Sequence, residues 1–201
     1  MIFSDINSLI MVLVYGIFAS AISFLTVYFT MPKAIAFLVE KGMIVQDYHK
    51  SERPKIPRPA GPILIIGITL SLIVIYFLTF NEKILAILLT TIIAFLIGFI
   101  DDKRVMPGWF KPVALLIAAL PILLLGAYDT NLNLIFGHAF IPLLYIPLIL
   151  IAIPVIGNTI NSIDVLNGVA SGFILIACIP LIISVYIFGS VEVFLASLSL
   201  F

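Results

Sequence analysis

Charge is what this sequence has least of. Ten Lys and Arg and ten Asp and Glu make up 10% of its 201 residues, against about 25% in a soluble domain. With 63% of residues hydrophobic and a mean hydropathy of +1.32, the chain cannot clothe a water-facing surface, which makes it an integral membrane protein. Its charges cancel to a formal net of zero, so there is no bulk attraction for nucleic acid and none is expected as a partner. The single cysteine, Cys178, lies in an apolar run; an internal disulfide and a multi-cysteine metal site are both excluded, and the redox compartment stays open. There is no serine–histidine–aspartate set, no glycine-rich nucleotide loop, no internal repeat and no low-complexity segment. One glutamine against 37 isoleucines leans weakly toward a heat-adapted source.

Long apolar runs are what the chain has instead. Charge-free stretches extend over Ile6–Pro32, Pro59–Asn81, Ile84–Ile100, Pro112–Tyr128, Thr130–Ile163 and Val165–Val191. A crossing takes about 20 apolar residues, so these predict six spans, at about 9–29, 62–80, 84–100, 113–128, 141–160 and 169–188. The first is too long for a signal-peptide core, and no small-residue cleavage site follows it. Pro121, Pro147, Pro154 and Pro180 fall inside spans, where they kink a membrane helix without forbidding it. A seventh apolar run begins after Glu192 and stops at Phe201, too short to cross. The expectation is an all-α polytopic membrane helix bundle, six transmembrane helices plus the start of a seventh. It forms one membrane domain over 1–201, the front part of a longer protein. Alternating spans put 33–58, 101–111 and 161–168 on one side with Lys33, Lys41, Lys50, Arg53, Lys55, Arg58, Lys103, Arg104 and Lys111, leaving only Lys83 opposite. Nine against one places these loops in the cytoplasm.

Three polar clusters lie on that side. The first loop, Gln46-Asp47-Tyr48-His49-Lys50-Ser51-Glu52-Arg53-Pro54-Lys55-Ile56-Pro57-Arg58, is stiff and basic; it suits a lipid-headgroup anchor, since basic residues beside a membrane attract anionic lipid, or a lid over a phosphorylated substrate. Asp101-Asp102 places two adjacent carboxylates at the end of the third span, where acids oppose the helix dipole. Either Lys103, Arg104 or Lys111 neutralises them, or they await a cation, paired carboxylates with a substrate phosphate being the usual Mg²⁺ arrangement. Lys111 opens the fourth span and can point back to the same place. In Asn158-x-x-Asn161-x-x-Asp164-x-x-Asn167-Gly168 polar residues recur every third position, forming a slowly winding helical stripe that ends at a turn-favouring Asn-Gly. Caps need one or two such residues, and buried polar groups at a membrane boundary are a site by default. His138, on the outer side, reads as structural, and Trp109 as an interfacial anchor.

On these motifs the chain resembles the polyprenyl-phosphate N-acetylhexosamine-1-phosphate transferases. Asp47…His49…Ile56-Pro57-Arg58…Gly61, then Asp101-Asp102…Lys111, then Asn158-x-x-Asn161-x-x-Asp164-x-x-Asn167-Gly168 match in order. Gln46-Asp47 and Pro107-Gly108-Trp109-Phe110-Lys111 look closer to the dolichyl-phosphate branch of archaea and eukaryotes than to the cell-wall branch. The resemblance implies transfer of N-acetylglucosamine-1-phosphate, or a related sugar phosphate, from a UDP-sugar to a membrane polyprenyl or dolichyl phosphate. UMP is released, and Mg²⁺ is the cofactor. It implies Asp101 and Asp102 beside the acceptor phosphate, Lys111 on a phosphate, Asn161 with Asp102 at the metal, and Asn167 on the uracil. Gln46, Asp47, His49, Arg58, Asn158 and Asp164 complete the substrate-binding set. The expected location is the plasma membrane of a prokaryote, an archaeon by preference, with the active face cytoplasmic, or the endoplasmic reticulum if the source is eukaryotic. Membrane lipid is a partner, and a homodimer is admitted.

The sequence also departs from the family pattern. Ala60 replaces the first glycine of the usual pair, Val165 stands where glycine is common, and no third acid follows Asp101-Asp102. The family's later acidic motif and its basic, histidine-containing loop would fall after Phe201, so the 201-residue chain alone is expected to be inactive. Two other classes compete, a membrane transporter subunit and an inactive membrane scaffold. Transporters place ionisable groups near the bilayer midplane, whereas the charges here gather at one interface.

Overall fold

The computed structural model describes residues 6–46, 52–104, 106–128, 131–134, 137–140, 142–163, 168–188 and 191–200. Helices dominate, as the apolar runs require, and among the described residues there are seven helices with two short antiparallel hairpins. The chain forms two compact units, one of residues 1–80 with 164–201 and one of 81–163.

In the first unit, α1 (Ile6–Glu40) runs on through Pro32. The helix thus continues beyond the predicted span into the segment read as loop: Lys33 to Glu40 is helical. Proline removes its own N–H from the ladder, the one that would reach the Tyr28 carbonyl, and its ring crowds that carbonyl; membrane helices tolerate both. The stop comes at Gly42, whose φ of 67° is left-handed. Its N–H donates to the Val39 carbonyl at 3.0 Å and the Met43 N–H to that of Leu38 at 2.8 Å, so two of the last orphan acceptors are satisfied. Then β1 (Ile44–Gln46) pairs with β2 (Lys55–Pro57), Val45 opposite Ile56 and Gln46 opposite Lys55. Next, α2 (Gly61–Thr79) starts with Pro62 in its first turn, where a missing N–H costs nothing. The unit is completed by α6 (Val169–Phe188) and α7 (Val191–Ser199).

Small and hydroxylated residues hold this unit together. A Cβ on Gly67 would stand 2.8 Å from Val27 Cγ2 and 3.0 Å from the Ser23 carbonyl, so α2 meets α1 where only glycine fits. One turn on, the buried Ser71 hydroxyl donates to the Ala19 carbonyl at 2.9 Å and shares a 2.9 Å hydroxyl–hydroxyl bond with Ser199 of α7. Ser20 donates to the Leu198 carbonyl at 3.0 Å. Lipid gives no hydrophobic drive between helices, so close backbone approach and interhelical hydrogen bonds take over.

The second unit begins at Asn81, whose side chain accepts from the Lys83 N–H at 2.9 Å and caps α3 (Glu82–Lys103). It continues with α4 (Phe110–Leu124), a turn at Gly126 (φ 59°), and the hairpin of β3 (Asn131–Leu134) with β4 (Gly137–Phe140), which holds His138. It closes with α5 (Pro142–Ile163). Ile97, Leu115 and Ala118 form its buried layer, with Ile93, Ala94, Ala114 and Ile153 packed against them. Pro121, Pro147, Pro154 and Pro180 all sit inside helices.

Among the described residues, four helical stretches are long and apolar enough to cross a membrane: Ile10–Glu40, Gly61–Thr79, Glu82–Lys103 and Leu143–Ile160. The chain is thus a membrane helix bundle. The 15 residues of α4 reach about 22 Å at 1.5 Å each, short of a hydrocarbon core of about 30 Å.

Candidate active site

Helix register decides which polar groups meet in the second unit. On α3, Ile97 and Asp101 lie one turn apart on one face; on α4, Lys111, Leu115 and Ala118 share a face in the same way. The layer that packs Ile97 on Leu115 therefore sets Asp101 opposite Lys111 one turn further along. Lys111 Nζ stands 3.4 Å from Asp101 Oδ2, with the two side chains 16% and 26% exposed. That is looser than the roughly 2.7–2.9 Å of a tight charged hydrogen bond, leaving both groups capacity for another partner.

Each member of this pair is at the wrong end of its own helix. Asp101 lies in the last turn of α3 and Lys111 in the first turn of α4, where the dipole disfavours an anion and a cation respectively by about 0.3–1 kcal/mol each. The pair is arranged at a cost that helix stability does not call for. Asp102 is the next residue round and is exposed. Lys103 is turned elsewhere, its Nζ 4.3 Å over the Phe99 ring, which in turn stacks on Phe95 at 5.6 Å. Among the three basic residues offered to the acids by the sequence, it is Lys111 that answers Asp101. The connection to α4 turns through Pro107, whose carbonyl accepts from the Phe110 N–H at 2.9 Å. Trp109, 66% exposed, stands at the helix start as an interfacial anchor would.

From the other flank, α5 approaches α4 at Gly157, where a Cβ would lie 3.1 Å from Leu115 Cδ1. Position 161 follows one turn later on α5, as Lys111 precedes Leu115 by one turn on α4. Asn158 is half-buried, and its carbonyl accepts from the Ser162 hydroxyl at 2.8 Å. Asp164 and Asn167 lie outside the described residues, as does the side chain of Asn161. Gly168, with φ of 87°, opens α6, accepting from the Gly172 N–H at 2.8 Å.

Residues 84–201, more than half the chain, match the model of glycosyl transferase family 4. The chain belongs to that family. No curated protein matches it. The matched segment contains Asp101, Asp102, Lys111, Asn158 and position 161, and membership makes the chain a member of a transferase family of the polyprenyl-phosphate sugar-phosphate kind.

The first-loop residues precede the segment matched to family 4 and belong to the first unit. Gln46 ends β1, exposed, and the exposed Arg58 follows β2, its N–H donating to the Met43 carbonyl at 3.0 Å. Asp47 and His49 lie outside the described residues. Among those described, no three histidine, cysteine or acidic side chains gather as a metal cage. Mg²⁺ usually takes one or two carboxylates and completes its shell with water and substrate phosphate; the adjacent carboxylates of Asp101 and Asp102 are a donor set of that kind. The Phe99–Lys103 contact was missed in the sequence, although its i, i+4 spacing was there to be read.

Proposed function

We propose that the complete protein transfers N-acetylglucosamine-1-phosphate, or a closely related sugar phosphate, from a UDP-sugar to a polyprenyl or dolichyl phosphate. An oxygen of the lipid phosphate attacks the sugar-linked phosphorus; the bond from that phosphorus to the UMP oxygen breaks, UMP leaves, and a lipid-pyrophosphate-sugar remains. Six crossings with the polar clusters on the cytoplasmic face, and one membrane domain throughout, belong to the same reading, because a lipid acceptor and a soluble nucleotide meet only at an interface. The observation that carries it is the half-buried Asp101–Lys111 pair at 3.4 Å, each partner at the unfavourable end of its helix, inside the segment that matches the family.

In this reading Lys111 binds a phosphate oxygen and Asp101 fixes the lysine's position. Asp102, with Asn161, would hold Mg²⁺, which when bound neutralises charge on the phosphates. Phosphoryl transfer asks chiefly for such positioning and charge neutralisation. Gln46, Asp47, His49, Arg58, Asn158, Asp164 and Asn167 are assigned to the nucleotide sugar, Asn167 to its uracil. The test uses the complete protein in detergent with labelled UDP-N-acetylglucosamine, a polyprenyl phosphate and Mg²⁺. Labelled lipid pyrophosphate and UMP should appear together, stop on chelation and return with added Mg²⁺. Release of UDP rather than UMP would overturn the reaction type.

A further inference from the structure

A groove of about 890 Å³ runs beside α1 within the first unit. Phe24, Val27 and Tyr28 of α1 and Leu64 and Ile68 of α2 form its walls, and Lys33 stands at one end. We infer that it is a binding site for one anionic glycerophospholipid, with an acyl chain along the apolar wall and the phosphate on Lys33. This goes beyond the proposed transfer reaction and does not rest on it.

Three observations carry the inference. First, the wall is mostly apolar, and the Phe24 and Tyr28 rings stack at 5.7 Å, giving a flat face for a hydrocarbon chain. Second, Lys33 is the first charge after the uncharged run Ile6–Pro32, so its ammonium falls where hydrocarbon gives way to headgroups. It makes no ion pair among the described residues, and basic groups at that depth attract anionic lipid. Third, Lys33 lines the same groove as the apolar wall, so one molecule with a hydrocarbon chain and an anionic head meets both. A phosphate diester of net negative charge, as in phosphatidylglycerol, answers both; a choline headgroup has no net charge to bring.

The experiment places the complete protein in nanodiscs of phosphatidylcholine with a minority of phosphatidylglycerol, and reads retained lipid by native mass spectrometry. Phosphatidylglycerol should be enriched over its bulk share. Lys33→Gln should cut that enrichment about fivefold, the equivalent of about 1 kcal/mol, while Lys55→Gln, a loss of the same charge from β2, should leave it unchanged. Equal losses in both variants would mean diffuse attraction and overturn the site. A benzophenone side chain at the exposed Tyr28 should cross-link to phospholipid. Cross-links to a second copy of the chain or to another polypeptide would overturn the inference, as would displacement of phosphatidylglycerol by equimolar polyprenyl phosphate.

Discussion

The helix seams of the two units are built on different chemistry. Between α1 and α2 the contact is made by glycine, alanine and serine, with the Ser71 hydroxyl on the Ala19 carbonyl, while Ser20 of α1 donates to the Leu198 carbonyl of α7. Between α3, α4 and α5 it is made by Ile97, Leu115, Ala118 and Ile153, and ends in a charge pair one turn beyond. The first seam spends its polar groups on holding helices together, as membrane packing requires. The second holds its helices with aliphatic side chains and sets its polar groups against their own dipoles. A polar group used where it does not stabilise points to chemistry, and that is how the seams assign different roles to serine and to aspartate.

The largest expected effect breaks the second seam's function and spares its fold. In the complete protein, Asp102→Asn should lower turnover on the order of a hundred- to a thousand-fold, about 2.7–4 kcal/mol of transition-state stabilisation. At this exposed position stability should change by at most about 1 kcal/mol. The double variant Asp101→Asn with Lys111→Gln should lose activity at least as severely. Because it removes both unfavourable dipole terms along with the pair, its thermal midpoint in detergent should stay level or rise. A fall equivalent to more than about 2 kcal/mol would make the pair structural and erase the contrast between the seams.

Next in size is Gly67→Ala, which should destabilise by about 1–3 kcal/mol, the usual cost of overpacking. The new Cβ would meet Val27 Cγ2 at 2.8 Å and the Ser23 carbonyl at 3.0 Å. Valine is stiff at χ1 and a carbonyl cannot swing away. Ser71→Ala should cost less, about 0.6 and at most about 1.7 kcal/mol, the range of interhelical hydrogen bonds in membranes. Denaturant titration in mixed micelles ranks the two; the reverse order would mean that hydrogen bonding, not close approach, sets this seam.

Much of this was legible in the sequence, for reasons that also explain the rest. Charge-free runs set α2 and α3 to within a few residues, because charges cannot enter hydrocarbon cheaply. Pro32 and Lys33 end the charge-free run but not α1, which Gly42 terminates, because neither a proline nor a lone lysine stops a helix at a membrane boundary. The strands flanking Asp47 and His49 are three residues each, too short to show a period of two. Within the site, the positions of Asp101, Asp102 and Lys111 at span ends were readable. Which acid meets which base was not, because that depends on how Ile97 packs against Leu115 across two helices.

The smallest predicted effect sharpens the comparison most, because it repeats one substitution in the other unit with the opposite sign. Gly157→Ala would bring a Cβ to 3.1 Å from Leu115 Cδ1, its sole neighbour within 4 Å among the described residues. That neighbour is the far end of a flexible side chain and needs to give only a few tenths of an ångström. Replacing glycine by alanine inside a helix gains about 0.8–1.0 kcal/mol of intrinsic propensity, which should outweigh so small an adjustment. Gly157→Ala should therefore raise the stability of α5 by a few tenths of a kcal/mol up to about 1. It leaves Asp101 and Lys111 untouched, so turnover should hold. Measured beside Gly67→Ala under the same conditions, it separates a glycine required by backbone contact from one that merely faces a leucine. Should Gly157→Ala destabilise as strongly as Gly67→Ala, the second seam would also depend on close backbone approach, and its aliphatic layer would not be what sets the spacing of α4 and α5.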